Sequence, residues 1–180
     1  MTHYGAKQLA DSFRTVRKNT LAIAEDIPED KYAFRATPEV MSVGEMLAHL
    51  AVSPMWQIDV HGEGMGRLDF AFFGARMQQA KAEEQALRTK AEIIAALRDN
   101  GDRFAKFVEG LDEATLQSSV ALPAQSGASS KTRFEMLLSP KEHEMHHRGQ
   151  LMLLQRLIGQ VPHLTRQRQA MQSQFAAGRP

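Results

Sequence analysis

Two of the seven histidines stand where a helix normally carries core residues. An α-helix turns by about 100° per residue, so the side chains of His143 and His147 project within about 40° of each other. Met136 and Leu154 share that face, which predicts that both imidazoles point into the protein. Imidazoles four residues apart on one helix can bind a single divalent ion.

A third histidine, His49, occupies a similar position midway along an earlier predicted helix, with Met46 and Ser53 on its face. One buried histidine is most often a hydrogen-bonded core residue. Three unpaired imidazoles in one core would each cost about 1–3 kcal/mol of desolvation, and one metal ion would relieve all three. The sequence therefore favours a metal site formed by His49, His143 and His147.

This ligand set is typical of a reactive centre. Three protein ligands leave a coordination position open, as in catalytic zinc sites. Imidazoles alone do not select the metal, so zinc, nickel, iron and copper are all compatible. Glu45 lies one turn before His49 and could orient it. Glu142 and Glu144 flank His143 and could do the same, although helix carboxylates are usually solvated. No residue is singled out as catalytic or as binding an organic cofactor.

The same helix contains an H-E-x-x-H motif from His143 to His147, which in metalloproteases supplies two zinc ligands and a general base, here Glu144. A peptidase of this kind needs a third ligand further along the chain. No Asp or Glu follows the motif, and the extended form would need a histidine where Leu153 stands. Only His163 remains, and no clear edge strand is available to hold a peptide. The peptidase interpretation is therefore disfavoured.

The composition excludes several other kinds of function. The chain has 180 residues and no cysteine, which excludes disulfides, thiolate metal sites, iron–sulfur clusters and a nucleophilic thiol of its own. Its net charge of +1 provides no electrostatic basis for binding nucleic acid or an anionic membrane. No apolar run approaches the roughly 20 residues of a membrane helix, and the first residues lack the pattern of a signal peptide. We therefore expect a cytoplasmic protein.

Frequent Ala, Leu, Met, Gln, Glu and Arg, together with short β-branched runs, predict an all-α chain. Apolar residues recur at helical spacing in four long segments, two of which begin with a Ser or Thr cap and a Glu three residues later. Pro54 predicts a kink in the second helix, and Pro140 predicts either a kink or a fresh start in the fourth. Four such helices imply a four-helix bundle in one domain. Their predicted ranges are 5–26, 42 to between 62 and 66, 89–110 and 131–158.

The remaining segments carry weaker signals. Residues 67–88 are predicted to form a connection with short helical pieces, and residues 117–130 a loop rich in Ser, Ala and Gly. The bundle domain is expected to cover 1–165, followed by a polar tail over 166–180 that frays near its end. Three further histidines are expected to be solvated, at helix ends or in loops: His3, His61 and His163.

Two stretches of the chain resemble the DinB-like family. They are VGEMLAHLA, at 43–51, and HEMHHRGQLMLLQRLIGQVP, at 143–162; the H-x-x-H-H-R-G-Q-L string in the second is fairly specific. The resemblance implies an up-down-down-up four-helix bundle, often dimeric. It also implies one divalent metal bound by His49, His143 and His147. Other residues match the family string without being its usual ligands: His146, Arg148, Gly149 and Gln150.

The resemblance further implies a class of chemistry. Characterised relatives include S-transferases and isomerases that use bacillithiol, mycothiol or glutathione. Such a cofactor would bring the thiol that this chain lacks, and a divalent ion would lower the pKa of that thiol. We therefore expect a thiol-dependent S-transferase or related enzyme with zinc or nickel, or else iron or manganese, and a small-molecule substrate. A metal-dependent hydrolase and a non-catalytic metal-binding protein of the stress response are the alternatives.

Assembly as a homodimer is expected, mainly from the resemblance. Phe70, Phe72 and Phe73 lie in a segment of weak secondary structure, and they either contribute to a dimer contact or cover the end of the bundle. The few arginines of the tail would support only weak binding to nucleic acid, which is therefore not expected to be a partner.

Overall fold

The computed structural model describes residues 4–123 and 127–177, and this part of the chain contains eight α-helices and a two-stranded sheet. The fold is mostly helical, as the sequence predicts. The helices are α1 (Ala6–Asp26), α2 (Val43–Val52), α3 (Met55–Gly62), α4 (Phe70–Ala86), α5 (Lys90–Glu109), α6 (Glu113–Gln117), α7 (Arg133–Leu157) and α8 (His163–Ala177). The two antiparallel strands are β1 (Ser119–Ala121) and β2 (Ser130–Thr132).

Three of the four predicted long helices are confirmed to within a few residues. α1 begins directly after Gly5. α5 begins at the predicted capping box of Thr89 and Glu92 and ends before Gly110. α7 begins at an equivalent box, in which Thr132 is the cap. In each box the hydroxyl accepts a hydrogen bond from a backbone N–H in the first turn, a donor that helix geometry leaves free.

The second predicted helix is divided at Pro54 into α2 and α3, at the position where the sequence predicts a kink. Proline has no N–H, so the carbonyl of Leu50, four residues earlier, lacks its helical donor. The side chain of Arg17 on α1 replaces it, because its Nη2 atom donates to the Leu50 oxygen at 2.8 Å. A buried contact between two helices thus compensates for the break.

Pro140 has a different effect on α7, which continues without interruption through it. The alternative of a fresh helix start at this proline is therefore wrong. The carbonyl that loses its donor here belongs to Met136, and the side chain of Gln57 on α3 donates to it at 3.2 Å. At both prolines, a side chain from another helix replaces the missing hydrogen bond.

The prediction for residues 67–88 is wrong, because this segment contains a 17-residue helix, α4, and not short pieces. The side chain of Asp69 caps it by accepting a hydrogen bond from the N–H of Phe72 at 2.8 Å. None of the residues of α4 is fully buried. The helix lies on the surface against α2, and without an apolar stripe its periodicity gives no sign of a helix.

The prediction for residues 117–130 also needs correction. The predicted loop at 117–130 contains both strands, while 124–126 lie outside the described residues. Strands of three residues are too short for an alternating pattern to be recognised. The predicted polar tail forms α8, in which Arg166 pairs with Asp26 of α1 at 2.9 Å. Residues 178–180, the last part of the segment predicted to fray, lie outside the described residues.

The core lies between α1, α2, α5 and α7. Each of these helices contributes a fully buried aliphatic side chain to one large cluster: Ile23, Leu47, Leu97 and Leu151. A second cluster centres on Phe13 of α1 and Phe104 of α5, whose ring centroids are 4.7 Å apart. This is the four-helix bundle that the sequence predicts.

Two of the three phenylalanines of α4 cover the bundle. Phe72 and Phe73 are partly buried against a cluster that includes Leu68 and Met136, so they cover the bundle. Phe70 is 59% exposed. Assembly as a homodimer stays a prediction. None of the helices in the described residues is long and apolar enough to cross a membrane.

Candidate metal centre

Three imidazoles converge between α2 and α7. The Nε2 atom of His143 lies 3.1 Å from Nε2 of His49 and 3.1 Å from Nε2 of His147. One nitrogen from each ring lies within 4.8 Å of the other two, and residues 4–123 and 127–177 contain no second group of this kind. The structure thus brings together the three histidines that the sequence predicts as ligands.

Two of the rings are oriented by acceptors on their outer nitrogens. His49 Nδ1 lies 2.8 Å from Oε1 of Glu84, and His147 Nδ1 lies 2.7 Å from Oε1 of Gln150. Carboxylate and amide oxygens accept hydrogen bonds, so each Nδ1 carries the proton. In the neutral ring, Nε2 is then the nitrogen without a proton, and its lone pair faces the other histidines.

Burial keeps His143 and His147 in the neutral form that binds metals. Desolvation, reinforced by the neighbouring His147 and His49, lowers the pKa of His143 to about 4. Desolvation also lowers the pKa of His147, against the raising effect of its hydrogen bond to Gln150. Both imidazoles are therefore uncharged near pH 7, with lone pairs available for a cation.

The spacing of the nitrogens fits a divalent ion. Two nitrogens that bind one ion at about 2.0–2.1 Å are about 2.9–3.4 Å apart for bond angles of about 90–110°. The two Nε2–Nε2 separations of 3.1 Å fall in that range. Hydrogen bonding alone fits less well, because a neutral His143 can present at most one N–H to its two neighbours. The cluster has the chemistry and the spacing of a metal site.

Helix geometry explains the convergence. His143 and His147 are one turn apart on α7, as predicted. His49 lies in the last turn of α2, whose first turn is fixed by the capping box of Ser42 and Glu45. The side chain of His49 is 24% exposed, so the cluster lies at the edge of the core, where a small molecule can reach it.

The carboxylates predicted to orient the rings do not do so. Glu45 is exposed and accepts hydrogen bonds from the backbone of Ser42 and from Arg35. Glu142 is exposed on α7. Glu84 of α4 takes the role that the sequence assigns to these residues.

Both interpretations of Glu144 are wrong: its carboxylate is not solvated, and it does not orient a ring of the cluster. It is 1% exposed, and both of its carboxylate oxygens accept hydrogen bonds from Arg17 at 2.9–3.0 Å. A carboxylate held by this buried ion pair is not available as a general base beside His143. The H-E-x-x-H motif therefore lacks its general base, which agrees with the sequence argument against a peptidase.

Two histidines predicted to be solvated are buried instead. His61 is 4% exposed; its Nε2 donates to Oε1 of Gln57 and its Nδ1 accepts from Arg133, each at 2.8 Å. His163 is also buried. Short segments between breakers look like loops in the sequence, but here they pack against the bundle. His3 lies outside the described residues.

Sequence reasoning missed the roles of the two side chains that orient the rings. Gln150 could have been found, because it lies three residues after His147 on the same helix and therefore on the same face. Glu84 could not, since it lies on α4, which shows no apolar stripe, and 35 positions from His49.

A cavity of about 300 Å³ opens beside the cluster, with His49 and His143 in its wall. The rest of the wall is mainly apolar: Val52, Trp56, Phe73, Met77, Ala80 and Pro140. A larger cavity of about 570 Å³ reaches Glu84 but none of the three histidines. A third cavity, of about 330 Å³, has His147 and Gln150 in its wall, so the 300 Å³ cavity is the one of the three that reaches two of the histidines.

Comparison with known proteins supports the architecture. Residues 12–151 match the sequence profile of the DinB superfamily. The uncharacterised protein YjoA of Bacillus subtilis is 26% identical over 154 residues, which cover 86% of this chain and 91% of YjoA. The crystal structure of YjoA, a DinB-like protein, is similar with a TM-score of 0.64 at 22% identity, covering 86% of this chain and 94% of that one.

Two further solved structures have the same fold. YfiT from Bacillus subtilis is described as a probable metal-dependent hydrolase with an unusual four-helix bundle topology. It is similar with a TM-score of 0.65 at 14% identity, covering 89% of this chain and 93% of YfiT. An uncharacterised protein from Clostridium difficile 630 has a TM-score of 0.62 at 12% identity, covering 88% of this chain and 99% of its own. At these identities the likeness establishes the fold alone.

Proposed function

The chain belongs to the DinB superfamily, and from that premise we propose that it is a metal-dependent enzyme whose divalent ion is bound by His49, His143 and His147. The observation that carries the proposal is the convergence of three imidazoles, two of which are turned inward by hydrogen bonds on their outer nitrogens. Neutral imidazoles suit zinc and nickel, with iron as an alternative.

Within this class we propose a thiol-dependent S-transferase. The chemistry that the ion supplies is a lower pKa for a thiol or a water molecule that reaches it. The sulfur of the thiol forms a bond to an electrophilic carbon, the leaving group departs with the electron pair of the broken bond, and the thiol proton passes to solvent. The chain has no cysteine, so the thiol is a small molecule such as bacillithiol, mycothiol or glutathione.

The wall of the cavity favours thiol transfer over hydrolysis. Hydrolysis uses a general base that takes a proton from the attacking water. Among the described residues that line the cavity, Glu84 is the sole carboxylate, and its Oε1 atom already accepts from His49. A thiol ionises far more readily than water, so thiol transfer does not need a protein base at this place.

A metal-dependent hydrolase is the second candidate. It is supported by the similar fold of YfiT, which is described as a probable metal-dependent hydrolase. For this chemistry, Glu84 would have to accept a proton from water while its Oε1 atom holds Nδ1 of His49, and protonation would weaken that hydrogen bond. That requirement is the reason for ranking it second.

Metal analysis tests the site directly. Protein purified without a histidine tag should contain about one divalent ion per chain. His143→Ala should lose the ion, because this substitution removes the ring that lies next to both of the others. His146→Ala is the matched control, since this ring is exposed on the same helix and lies outside the cluster. Full occupancy in His143→Ala would overturn the metal site.

Cobalt-substituted protein distinguishes the two chemistries. A cobalt–thiolate bond produces an intense near-ultraviolet band, which bacillithiol, mycothiol or glutathione should elicit and which His147→Ala should abolish. Thiol-dependent turnover of an electrophile should accompany the band. Ester hydrolysis without any thiol would support the hydrolase instead. Metal-loaded protein that shows neither the band nor turnover would overturn the enzyme proposal and leave a metal-binding protein.

A further inference from the structure

The cavity beside the histidine cluster contains a charged side chain that the proposed reaction does not use, Arg76 of α4. We propose that this cavity binds an amphipathic organic acid, with its apolar body against Trp56 and Phe73 and its anionic oxygen atoms on Arg76. This names the substrate class of the proposed enzyme. It rests on the proposed function only for the other end of the ligand, which would point toward His49 and His143.

The guanidinium of Arg76 has hydrogen-bonding capacity left for a ligand. Its Nη1 atom lies 3.1 Å from Oδ2 of Asp59 and 2.7 Å from Oε1 of Gln79. Its Nε atom is buried and has no hydrogen-bond partner among the described residues. The side chain of Asp59 is 40% exposed, so solvent screens its attraction for the guanidinium. The other terminal nitrogen, Nη2, makes no hydrogen bond to the described residues, and a carboxylate in the cavity would accept from it.

The apolar part of the wall favours a flat hydrophobic body. The rings of Trp56 and Phe73 meet edge to face, with centroids 6.0 Å apart, and the ring of Phe72 packs edge to face with Phe73 at 5.7 Å. Met77 lines the same cavity and is 72% exposed. A ligand ring on this surface would remove exposed apolar area from water. The volume is at the small end for ligand sites, which suits one ring with a short acid chain.

The other large polar side chains of the wall already make hydrogen bonds within the protein. Gln57 donates to the carbonyl of Met136 and accepts from His61. Glu84 accepts from His49. A bound ion at the histidines would add further positive charge to the wall. The remaining donor capacity of Arg76 and the charge of an ion at the histidines therefore favour an anion, against the opposing charge of the Glu84 carboxylate.

Trp56 provides a reporter for this site, because it is the one tryptophan of the chain and lines the cavity. We would titrate the full-length protein, as purified and again after chelation, with 4-phenylbutyrate and with 4-phenylbutanamide. The two probes share the apolar body and differ in charge. The carboxylate should quench Trp56 fluorescence with an affinity about tenfold higher than that of the amide.

Variants separate the two parts of the site. In Arg76→Gln, the ratio of the affinities for the carboxylate and the amide should fall to about one, because the charged donor is removed. Phe73→Ala should weaken the binding of both probes by the same factor. Asp59→Asn is the matched control: it removes the other half of the ion pair but leaves the guanidinium, so the preference should be kept or increased.

Several outcomes would overturn the proposal. They are equal binding of the two probes to the unmodified protein, no saturable change in fluorescence, and an unchanged preference in Arg76→Gln. If Asp59→Asn lost as much of the carboxylate preference as Arg76→Gln, the ion pair would only hold α4 in place. If the protein binds no metal but still prefers the carboxylate, the acid site is supported and the metal proposal fails. If the protein binds a full complement of metal but shows no preference for the carboxylate, the metal proposal is supported and the acid site fails.

Discussion

At the scale of single residues, the histidine cluster depends on which nitrogen of each ring carries the proton. Glu84 and Gln150 accept from Nδ1 of His49 and His147, and so leave both Nε2 lone pairs facing inward. An acceptor of this kind fixes the ring orientation and makes an imidazole a better ligand. The affinity for metal should therefore depend on residues that do not touch it.

Glu84→Ala should lower the affinity for zinc by about tenfold to a hundredfold, because His49 loses the carboxylate that orients it. Glu84→Gln should lower the affinity for zinc by less, since an amide oxygen still accepts a hydrogen bond from Nδ1. The measurement is a competition titration against a chelator. Glu83→Ala is the control, because Glu83 accepts from Gln79 and not from a histidine. Equal affinities for Glu84→Ala and Glu83→Ala would refute this role.

His61 predicts a pH dependence of stability. Burial and, to a lesser degree, the charge of Arg133 lower the pKa of His61 to about 4, whereas an unfolded chain has a histidine pKa near 6.5. Below pH 6.5 the unfolded state takes up a proton at His61 that the native state does not bind, so stability falls as the pH falls towards 4. The loss due to this group is roughly 3 kcal/mol.

Urea unfolding between pH 4 and pH 7 checks this expectation. In His61→Gln, whose amide can still donate and accept, the free energy of unfolding should depend less steeply on pH than in the unmodified protein. All other ionisable groups are common to the two proteins, so their contributions cancel in the comparison. Equal slopes would show that His61 is not held neutral by its surroundings.

At the scale of the elements, the two helices that carry the cluster both contain or precede a proline. Pro54 ends α2 shortly after His49, and Pro140 lies inside α7 shortly before His143. Each leaves a carbonyl without its helical donor, and a side chain from another helix replaces it. The ligand-bearing helices are thereby attached to their neighbours by hydrogen bonds as well as by apolar packing.

Ser42→Ala should lower the free energy of unfolding by about 1 kcal/mol, because the hydroxyl that accepts from the N–H of Glu45 is lost from the first turn of α2. Chemical denaturation measures the change. Ser53→Ala is a useful control, since Ser53 lies at the other end of the same helix and its side chain does not cap it. A smaller loss for Ser42→Ala than for Ser53→Ala would contradict the capping role.

At the scale of the whole molecule, one buried arginine connects the four helices of the bundle. Arg17 of α1 donates to the Leu50 carbonyl of α2, to the Leu97 carbonyl of α5 and to Glu144 of α7. Its side chain is 5% exposed and that of Glu144 is 2% exposed. A buried charge without its partner is strongly destabilising, whereas removal of both charges is much less so.

Arg17→Met should therefore cost about 3–5 kcal/mol of stability, and Glu144→Leu a similar amount, because each leaves the other charge buried and unpaired. The double variant should be more stable than either single variant. Thermal or urea denaturation of the four proteins gives the comparison. Additive losses in the double variant would show that the two charges do not compensate each other.

Removal of the proposed metal should lower the Tm and leave the helical circular dichroism spectrum largely intact. The main apolar cluster, with residues such as Ile23 and Leu97, is complete without the histidines, so the bundle does not need the ion to fold. Ligand binding to the native state still adds stability, and chelation removes that part. A random-coil spectrum after chelation would show that the metal is structural.

The sequence by itself determined the features that depend on local periodicity. The apolar stripes predicted α1, α5 and α7, and capping boxes predicted the starts of α2 and α5, because helical spacing and first-turn hydrogen bonds involve residues only three or four positions apart. The inward placement of His143 and His147 followed from the same rule. His49 was assigned to the site from its own core position and from the family resemblance.

Only the tertiary structure decided which side chains meet across the bundle. Glu84 reaches His49 from a surface helix without an apolar stripe, and the pairing of Glu144 with Arg17 spans 127 positions of the chain. A glutamate beside a histidine looks the same in sequence whether it faces a metal, an arginine or water. Its partner is set by how the helices pack, and packing is not a local property of the chain.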